Sequence, residues 1–359
     1  MSTTSAPPTL DEDRLQALLG QAVVEFGATV NAALVVIGDR LGLYAELAAS
    51  GPLTAPDLAQ RTGTAERYVR EWLNAQAASG WVGYDPQTGR YSMSLEQAMM
   101  FAAPESPAFV AGAFQLALGS ADAREHIEEA FATGTGFGWH EHSDDVFDGC
   151  RRFFEPGYRA NIVQSWIPAL EGVHDRLTRG GRVADVGCGH GVSAIVIAQG
   201  YPASTVHGSD YHEGSIAEAR RLAAAAGVDD RVTFTIASAE ALLSDDYDLV
   251  TSFDCLHDMG DPVGVARQVR AALAPDGAWM IVEPRAGDSV EENLNPVGRA
   301  YYAFSTLLCT PSSLAQEGGL ALGAQAGESR LREVLESAGF TRVRRAAETP
   351  FNLVLEAKP

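Results

Sequence analysis

One stretch constrains the fold of this chain more than any other: Arg182-Val-Ala-Asp-Val-Gly-Cys-Gly-His-Gly191, running directly into Val192-Ser-Ala-Ile-Val-Ile-Ala-Gln199. A short apolar run at 183–186, glycines at 187, 189 and 191, and then apolar residues at helical spacing predict a strand, a tight turn and a helix. Glycine lets a small molecule lie against the backbone and tolerates positive φ. A turn built for a pyrophosphate has the spacing G-x-G-x-x-G. Here the spacing is Asp-x-Gly-x-Gly-x-Gly, with the carboxylate of Asp185 two residues before the first glycine. An anion at that point suits a cationic ligand better than a pyrophosphate.

Residues 204–209 predict a second strand, and Asp210 stands at its carboxyl end, roughly 20 residues past the turn, where doubly wound folds place the acid that holds ribose hydroxyls. By itself such an Asp is usually a helix cap, because helix formers follow from Ser215, but its register with the glycine turn favours the ribose. Together these residues resemble motif I and the ribose acid of the class I S-adenosylmethionine (SAM) dependent methyltransferases. The resemblance implies a Rossmann-like α/β domain with a seven-stranded sheet. It implies SAM as cofactor, held by Asp185, Gly187, Gly189, Gly191 and Asp210. Any other nucleotide-binding α/β turn is the alternative.

The chain has 359 residues, enough for two domains. Composition, 46% apolar and 20% charged without a continuous apolar run of about 18 residues, predicts a soluble protein with no membrane partner. Residues 1–10 have neither an apolar core nor a basic region and are expected to be a disordered tail. Cys150, Cys188, Cys255 and Cys309 form no C-x-x-C pair, so free thiols in the cytoplasm are expected. A net charge of −21 argues against a partner gripped by its phosphates.

From 11 to 105 a mostly helical domain is expected. Leu15, Leu18, Leu19, Val23, Val24 and Phe26 make an apolar stripe larger than a small domain needs, which predicts a homodimer. Two short helices, at 55–61 and 64–79, precede a hairpin around Asp85-Pro-Gln-Thr-Gly89 and resemble a winged helix domain. Arg67 and Arg70 on the second helix stand beside Glu66 and Glu71, so counterion release on DNA would gain little. Plant-type small-molecule O-methyltransferases use such a domain for dimerisation and substrate covering.

Residues 106–178 are expected to be a helical linker and 179–359 the methyltransferase domain. In the linker, His140 and His142 alternate among acids, but no second cluster completes a metal site; no metal is expected. Phe153, Phe154, Tyr158 and Trp166 are expected to be core for the most part, with one or two lining a pocket.

After the strand at 231–236, Ser238 stands where the family commonly has an acid, so Ser238 and Ala239 are candidates for the adenine. The strand at 247–253 ends on Phe253, a further cofactor-side candidate, and runs into Asp254-Cys-Leu-His-Asp-Met-Gly-Asp-Pro262. This segment resembles the Leu-His-Asp-Trp-x-Asp segment of plant-type and bacterial small-molecule O-methyltransferases, with Met259 replacing the tryptophan. The resemblance implies that His257 is the general base. A histidine of ordinary pKa can accept a hydroxyl proton near neutrality. In the family two carboxylates orient this histidine: Glu283, at the end of the strand near 278–283, matches the first. The second falls on Gln325, with Glu328 three residues on. The reading is a SAM-dependent methyltransferase acting on an oxygen of a small organic acceptor. Its rivals are an N- or S-methyltransferase without a base, a methyltransferase of protein or RNA, and a winged helix regulator that only senses SAM.

Overall fold

The computed structural model describes residues 10–239 and 246–359; Glu240, at the end of the segment read for the adenine, lies outside them. The chain divides into two compact units after Gln115.

In the first unit a long helix, Glu12–Arg40, leads into Leu43–Ser50. Thr54 and Asp57 cap the next helix, Ala55–Thr62, reciprocally, each side chain meeting the other's backbone N–H. Then come Glu66–Ala78 and a hairpin of β1 (Gly83–Asp85) and β2 (Arg90–Ser92). Gly38 lets the long helix press against Trp72, whose indole N–H donates to Leu34 O at 2.8 Å; an added Cβ would sit 2.4 Å from the ring. Tyr44, Leu47, Leu58, Leu73 and Phe101 fill the core. On the helix read as the DNA-facing candidate, Arg70 Nε donates to Glu66 at 2.8 Å and Arg67 pairs with Glu71.

Glu12–Arg40 is largely exposed as far as Val30, with Val24 and Val30 each 69% accessible. Gln21, Glu25, Thr29 and Asn31 interrupt the apolar run, so no continuous stretch shows in the sequence. By length and composition the helix is nonetheless long and apolar enough to cross a membrane.

The second unit is built on a seven-stranded sheet: β3 (Arg182–Val186), β4 (Thr205–Asp210), β5 (Val232–Ile236), β6 (Tyr247–Phe253), β7 (Leu273–Pro284), β8 (Arg342–Glu348) and β9 (Asn352–Lys358). Their order is β5-β4-β3-β6-β7-β9-β8, and β9 runs antiparallel to both neighbours. The reversal on either side of β3 makes the carboxyl ends of β3, β4 and β6 a topological switch point, where doubly wound sheets keep their ligands. On β7, Trp279, Met280, Ile281 and Val282 are fully buried, and each such side chain contributes about 1.5–3 kcal/mol.

Helix Val192–Gly200 is apolar all round because it is covered on both sides. It packs on β4 and under the helix Asp144–Asn161 with its continuation Ile162–Trp166. The middle stretch therefore belongs to the fold of the second unit. After β7 the chain forms the helix Pro296–Phe304, a wider turn, Ser305–Cys309, and a short helix, Thr310–Leu314.

Candidate active site

The glycine turn is held open by three left-handed residues, Gly187, Gly189 and Gly191, at φ +72°, +49° and +73°. The backbone N–H groups of Gly187 and Cys188 donate to Ser209 O at 2.9 and 3.0 Å, which pins the turn to β4. A Cβ on Gly191 would lie 2.5 Å from the Phe234 ring, and one on Gly187 2.8 Å from Cys255 Sγ; one on Gly189 would meet no protein atom within 4 Å. The empty side of Gly189 faces a cavity of about 520 Å³.

Asp210 lines this cavity. One of its carboxylate oxygens accepts from Gly189 N–H and the other from His212 N–H, each at 2.9 Å, and burial raises its pKa. Ser238, Ala239 and Phe253 line the cavity too. Asp185 does not. Its carboxylate is 1% exposed and accepts from Ser193 Oγ at 2.6 Å and Thr251 Oγ1 at 2.7 Å, which ties β3 to the helix behind the turn and to β6; burial pushes it up to about 6. The anion expected to face a cation is thus spent on the scaffold. Among the described residues, the carboxylates that line the cavity are Asp210, Asp254, Asp258, Asp261 and Glu317.

Asp254 takes φ +49°, a conformation uncommon outside glycine, directly after β6. Its N–H donates to Val282 O at 2.7 Å, and its carboxylate accepts from Tyr158 Oη at 2.8 Å and Asn352 Nδ2 at 3.0 Å. Burial, with the Glu283 charge nearby, pushes its pKa up to about 8. Strained backbone over-determined by its surroundings marks functional positions. Phe154 and Tyr158 supply aromatic wall, whereas Trp166 is 1% exposed and belongs to the core. Arg151 brings a cation to the wall; its Nε, like Nδ1 of the neighbouring His190, is buried with no hydrogen-bond partner.

His257 lies in the single turn Leu256–Asp258, 3% exposed. Its Nδ1 pairs with Glu283 Oε2, while Glu283 Oε1 accepts the Leu256 N–H at 2.9 Å. Its Nε2 sits 3.0 Å from Asp258 Oδ1, an oxygen with no aligned hydrogen-bond donor, so this contact is one of charge. Burial alone would lower the imidazole pKa; Asp258 and Glu283 outweigh it and hold it well above the ordinary value. A histidine with a free nitrogen turned to an acceptor was expected. Instead both nitrogens face carboxylates, and neither His257 nor Glu283 contributes to the cavity lining.

Glu328 stands apart from this cluster. It accepts from Arg332 Nε and Arg345 Nε at 2.7 Å each, and two guanidinium groups consume both its oxygens. The second carboxylate on His257 is Asp258, the next residue in the chain. Sequence reasoning did not assign Asp258, Asp254 or Arg151; only the acid immediately after the histidine was a visible signal for the first. His140 lines the cavity, edge-on to Tyr211. His142 packs between Phe137 and Trp139, with burial pushing it down to about 4. Among the described residues the grouping with metal-ligand spacing is His257, Asp258 and Cys309, and includes neither of them.

A switch-point cavity on a seven-stranded sheet with reversed β9, floored by a glycine turn with an acid at the end of the next strand, is the architecture of a methyltransferase domain. Residues 177–339 match the methyltransferase domain family and residues 29–103 the Rv2258c-like winged HTH domain family. The chain therefore carries a methyltransferase domain behind a winged helix-turn-helix domain. It is 34% identical over 139 residues to 27-O-demethylrifamycin SV methyltransferase of Amycolatopsis mediterranei, which is 36% of this chain and 51% of that protein. The chain spans about half the length of the first curated relatives it matches. A longer match, 26% identical over 84% of this chain and 83% of the relative, is to the mitomycin biosynthesis 6-O-methyltransferase of Streptomyces lavendulae. The fold is shared with human N-acetylserotonin methyltransferase, solved in complex with SAM: TM-score 0.70, 16% identity, 100% of this chain and 99% of that one.

Proposed function

We propose that this protein transfers a methyl group from SAM to an oxygen of a small organic acceptor. The observation that carries the reading is the cavity: it has room for a nucleoside and an acceptor, offers an open glycine backbone with Asp210 beside it, and is lined by Asp258, behind which stand His257 and Glu283. Bound SAM supplies a methyl group already activated on a sulfonium.

The residues fit that group. Asp210 has two oxygens for a ribose diol, Ser238 and Ala239 can meet an adenine edge, and Asp254 is a carboxyl whose ionised form a cationic centre would favour. Arg151, whose guanidinium already pairs with Glu155 and Asp148, and His190 also line the cavity. That relatives are named as O-methyltransferases of rifamycin and mitomycin compounds supports oxygen as the acceptor atom, and an acid–base cluster at the cavity end supports the same, since a hydroxyl must lose a proton. An amine or thiolate needs none.

Calorimetric titration tests the cofactor. SAM and its demethylated product are expected to bind the wild-type chain, and Asp210→Ala to weaken both by roughly 10- to 100-fold, the worth of charged hydrogen bonds to the ribose. NAD binding where SAM fails would overturn the reading.

The protein is further proposed to be a homodimer in the cytoplasm. The exposed apolar face of Glu12–Arg40 supports the first and four unpaired cysteines the second. Light scattering is expected to give twice the 38.0 kDa chain mass, and Val24→Glu with Val30→Glu to give one. Lipid-vesicle flotation of the wild type would point to a membrane instead. Nothing favours DNA, because the arginines of Glu66–Ala78 are paired with its own glutamates.

A further inference from the structure

We propose that His257, Asp258 and Cys309 form a binding site for one divalent cation of the zinc type, and that the bound ion silences the enzyme by occupying Nε2 of His257. The site stands on its own geometry; the silencing rests on the methyltransferase reading.

Two segments of the chain meet here. His257 and Asp258 belong to the single turn after β6, and Cys309 closes the wider turn Ser305–Cys309, a kind of turn that recurs at functional positions. One donor atom from each of the three side chains lies within 4.8 Å of the other two. Imidazole nitrogen, carboxylate oxygen and thiol sulfur together suit zinc and its transition-metal neighbours, whereas magnesium and calcium want oxygen alone. His257 and Cys309 are buried, and Asp258 lines the cavity, which gives an ion its way in.

Two features point to a ligand rather than to packing. Asp258 Oδ1 is buried 3.0 Å from His257 Nε2 and makes no aligned hydrogen bond, so both atoms keep a direction free. Donors 2.0 Å from a tetrahedral ion stand ~3.3 Å apart, and a thiolate at 2.3 Å stands ~3.5 Å from each of them. Small adjustments therefore bring all three round one centre. On the other side of the ring, Nδ1 pairs with Glu283, whose second oxygen accepts Leu256 N–H at 2.9 Å. Imidazoles that bind metals regularly give their remaining nitrogen to a carboxylate, which fixes the ring and directs the first nitrogen's lone pair at the ion. An acid–base pair by itself accounts for His257 and Glu283, but not for a buried, unbonded carboxylate oxygen and a buried thiol gathered at the opposite nitrogen.

Three protein ligands leave a fourth position to water. As the metal–sulfur bond forms, the Cys309 thiol proton leaves for solvent, together with any proton on Nε2. The Nε2 lone pair then belongs to the metal, and His257 has none with which to take a hydroxyl proton. The glycine turn and Asp210 are untouched, so SAM still binds.

Two measurements test this on the full chain after treatment with a chelator. In the first, cobalt(II) replaces zinc, because its absorption reports the donor atoms. One equivalent is expected to give the intense visible bands of a four-coordinate ion and a thiolate-to-cobalt band in the ultraviolet. Zinc should remove both, and magnesium at the same concentration neither. Cys309→Ser and Cys309→Ala should each abolish the thiolate band, His257→Gln and Asp258→Asn weaken binding at least roughly 100-fold, and Glu283→Gln weaken it roughly 10- to 100-fold. No four-coordinate spectrum in the wild type, a thiolate band that survives the loss of Cys309, or displacement by magnesium overturns the site.

The second follows methylation of catechol with SAM. Zinc is expected to suppress turnover, a chelator to restore it, and SAM affinity to stay within about threefold. In Cys309→Ser, half-suppression should need at least roughly 10-fold more zinc. Equal sensitivity in the two proteins, or suppression that works by weakening SAM binding, overturns the silencing. Failure of the wild type to bind SAM would instead remove the functional reading, and the cobalt spectrum would still decide the site.

Discussion

Gly191→Val is expected to destabilise the second unit severely, and Gly189→Val to spare the fold and abolish ligand binding. The two positions share a left-handed backbone and differ in what surrounds them. At Gly191, φ +73°, a Cβ would stand 2.5 Å from Phe234 and 2.9 Å from Ala219. Left-handed backbone costs about 1–2 kcal/mol for a residue with a Cβ, and overpacking adds about 1–3 kcal/mol. A loss on the order of 3 kcal/mol corresponds to roughly 6–12 °C in melting temperature for a unit of this size.

At Gly189 only the backbone cost applies, because nothing lies within 4 Å of its Cβ. The side chain would project into the cavity where a nucleoside must rest against the peptide. SAM affinity is expected to fall at least roughly 100-fold, about 2.7 kcal/mol, with a melting shift of about 2–6 °C. Calorimetric melting alongside SAM titration separates the outcomes. Equal melting losses, with Gly189→Val still binding SAM within threefold of wild type, would remove the ligand from this turn.

That contrast marks what the sequence makes legible. The order of strands and helices in the second unit follows from periodicity and glycine placement, since each strand is either continuously apolar or ends at a turn. The placing of the three glycines and Asp210 was legible because backbone register fixes it: they follow or end strands, and strand ends are countable. Asp185 shows the limit. Its position before the turn was clear, but whether its carboxylate faces the cavity depends on Ser193 and Thr251, one on the following helix and one on β6, 66 residues away. Glu328 fails for the same reason. Its spacing suited an orienting carboxylate, while Arg332 and Arg345, the latter on β8, decide its partners. Asp258 was hidden differently: it stood in plain view beside His257, but which of two adjacent side chains reaches a cavity is set by the twist of a single turn.

The carboxyl of Asp254 makes binding and stability depend on pH in a direction that can be fixed in advance. Its pKa in the folded chain is about 8, against the ordinary carboxyl value of 3.8, because burial and Glu283 disfavour the charged form. The folded state therefore binds more protons than the unfolded one between these values, and stability must fall as pH rises through the window. Asp185, raised to about 6, acts in the same sense over the lower part of it. Four pH units at 1.36 kcal/mol each set an upper bound on the order of 5 kcal/mol for Asp254. Asp254→Asn keeps the hydrogen-bonding shape without the ionisation, so its melting temperature is expected to decline less steeply than wild type between pH 5.5 and 9, which separates this carboxyl from the general repulsion of a chain carrying −21 charges. The same group should report on the methyl donor. A sulfonium placed beside Asp254 favours its ionised form, so SAM binding at pH 7 is expected to release close to one proton and binding of the uncharged-sulfur product distinctly less. Titrations in buffers of differing ionisation enthalpy measure that number directly. Equal proton release for the two ligands, or release that persists in Asp254→Asn, would mean that the cationic centre binds elsewhere in the cavity.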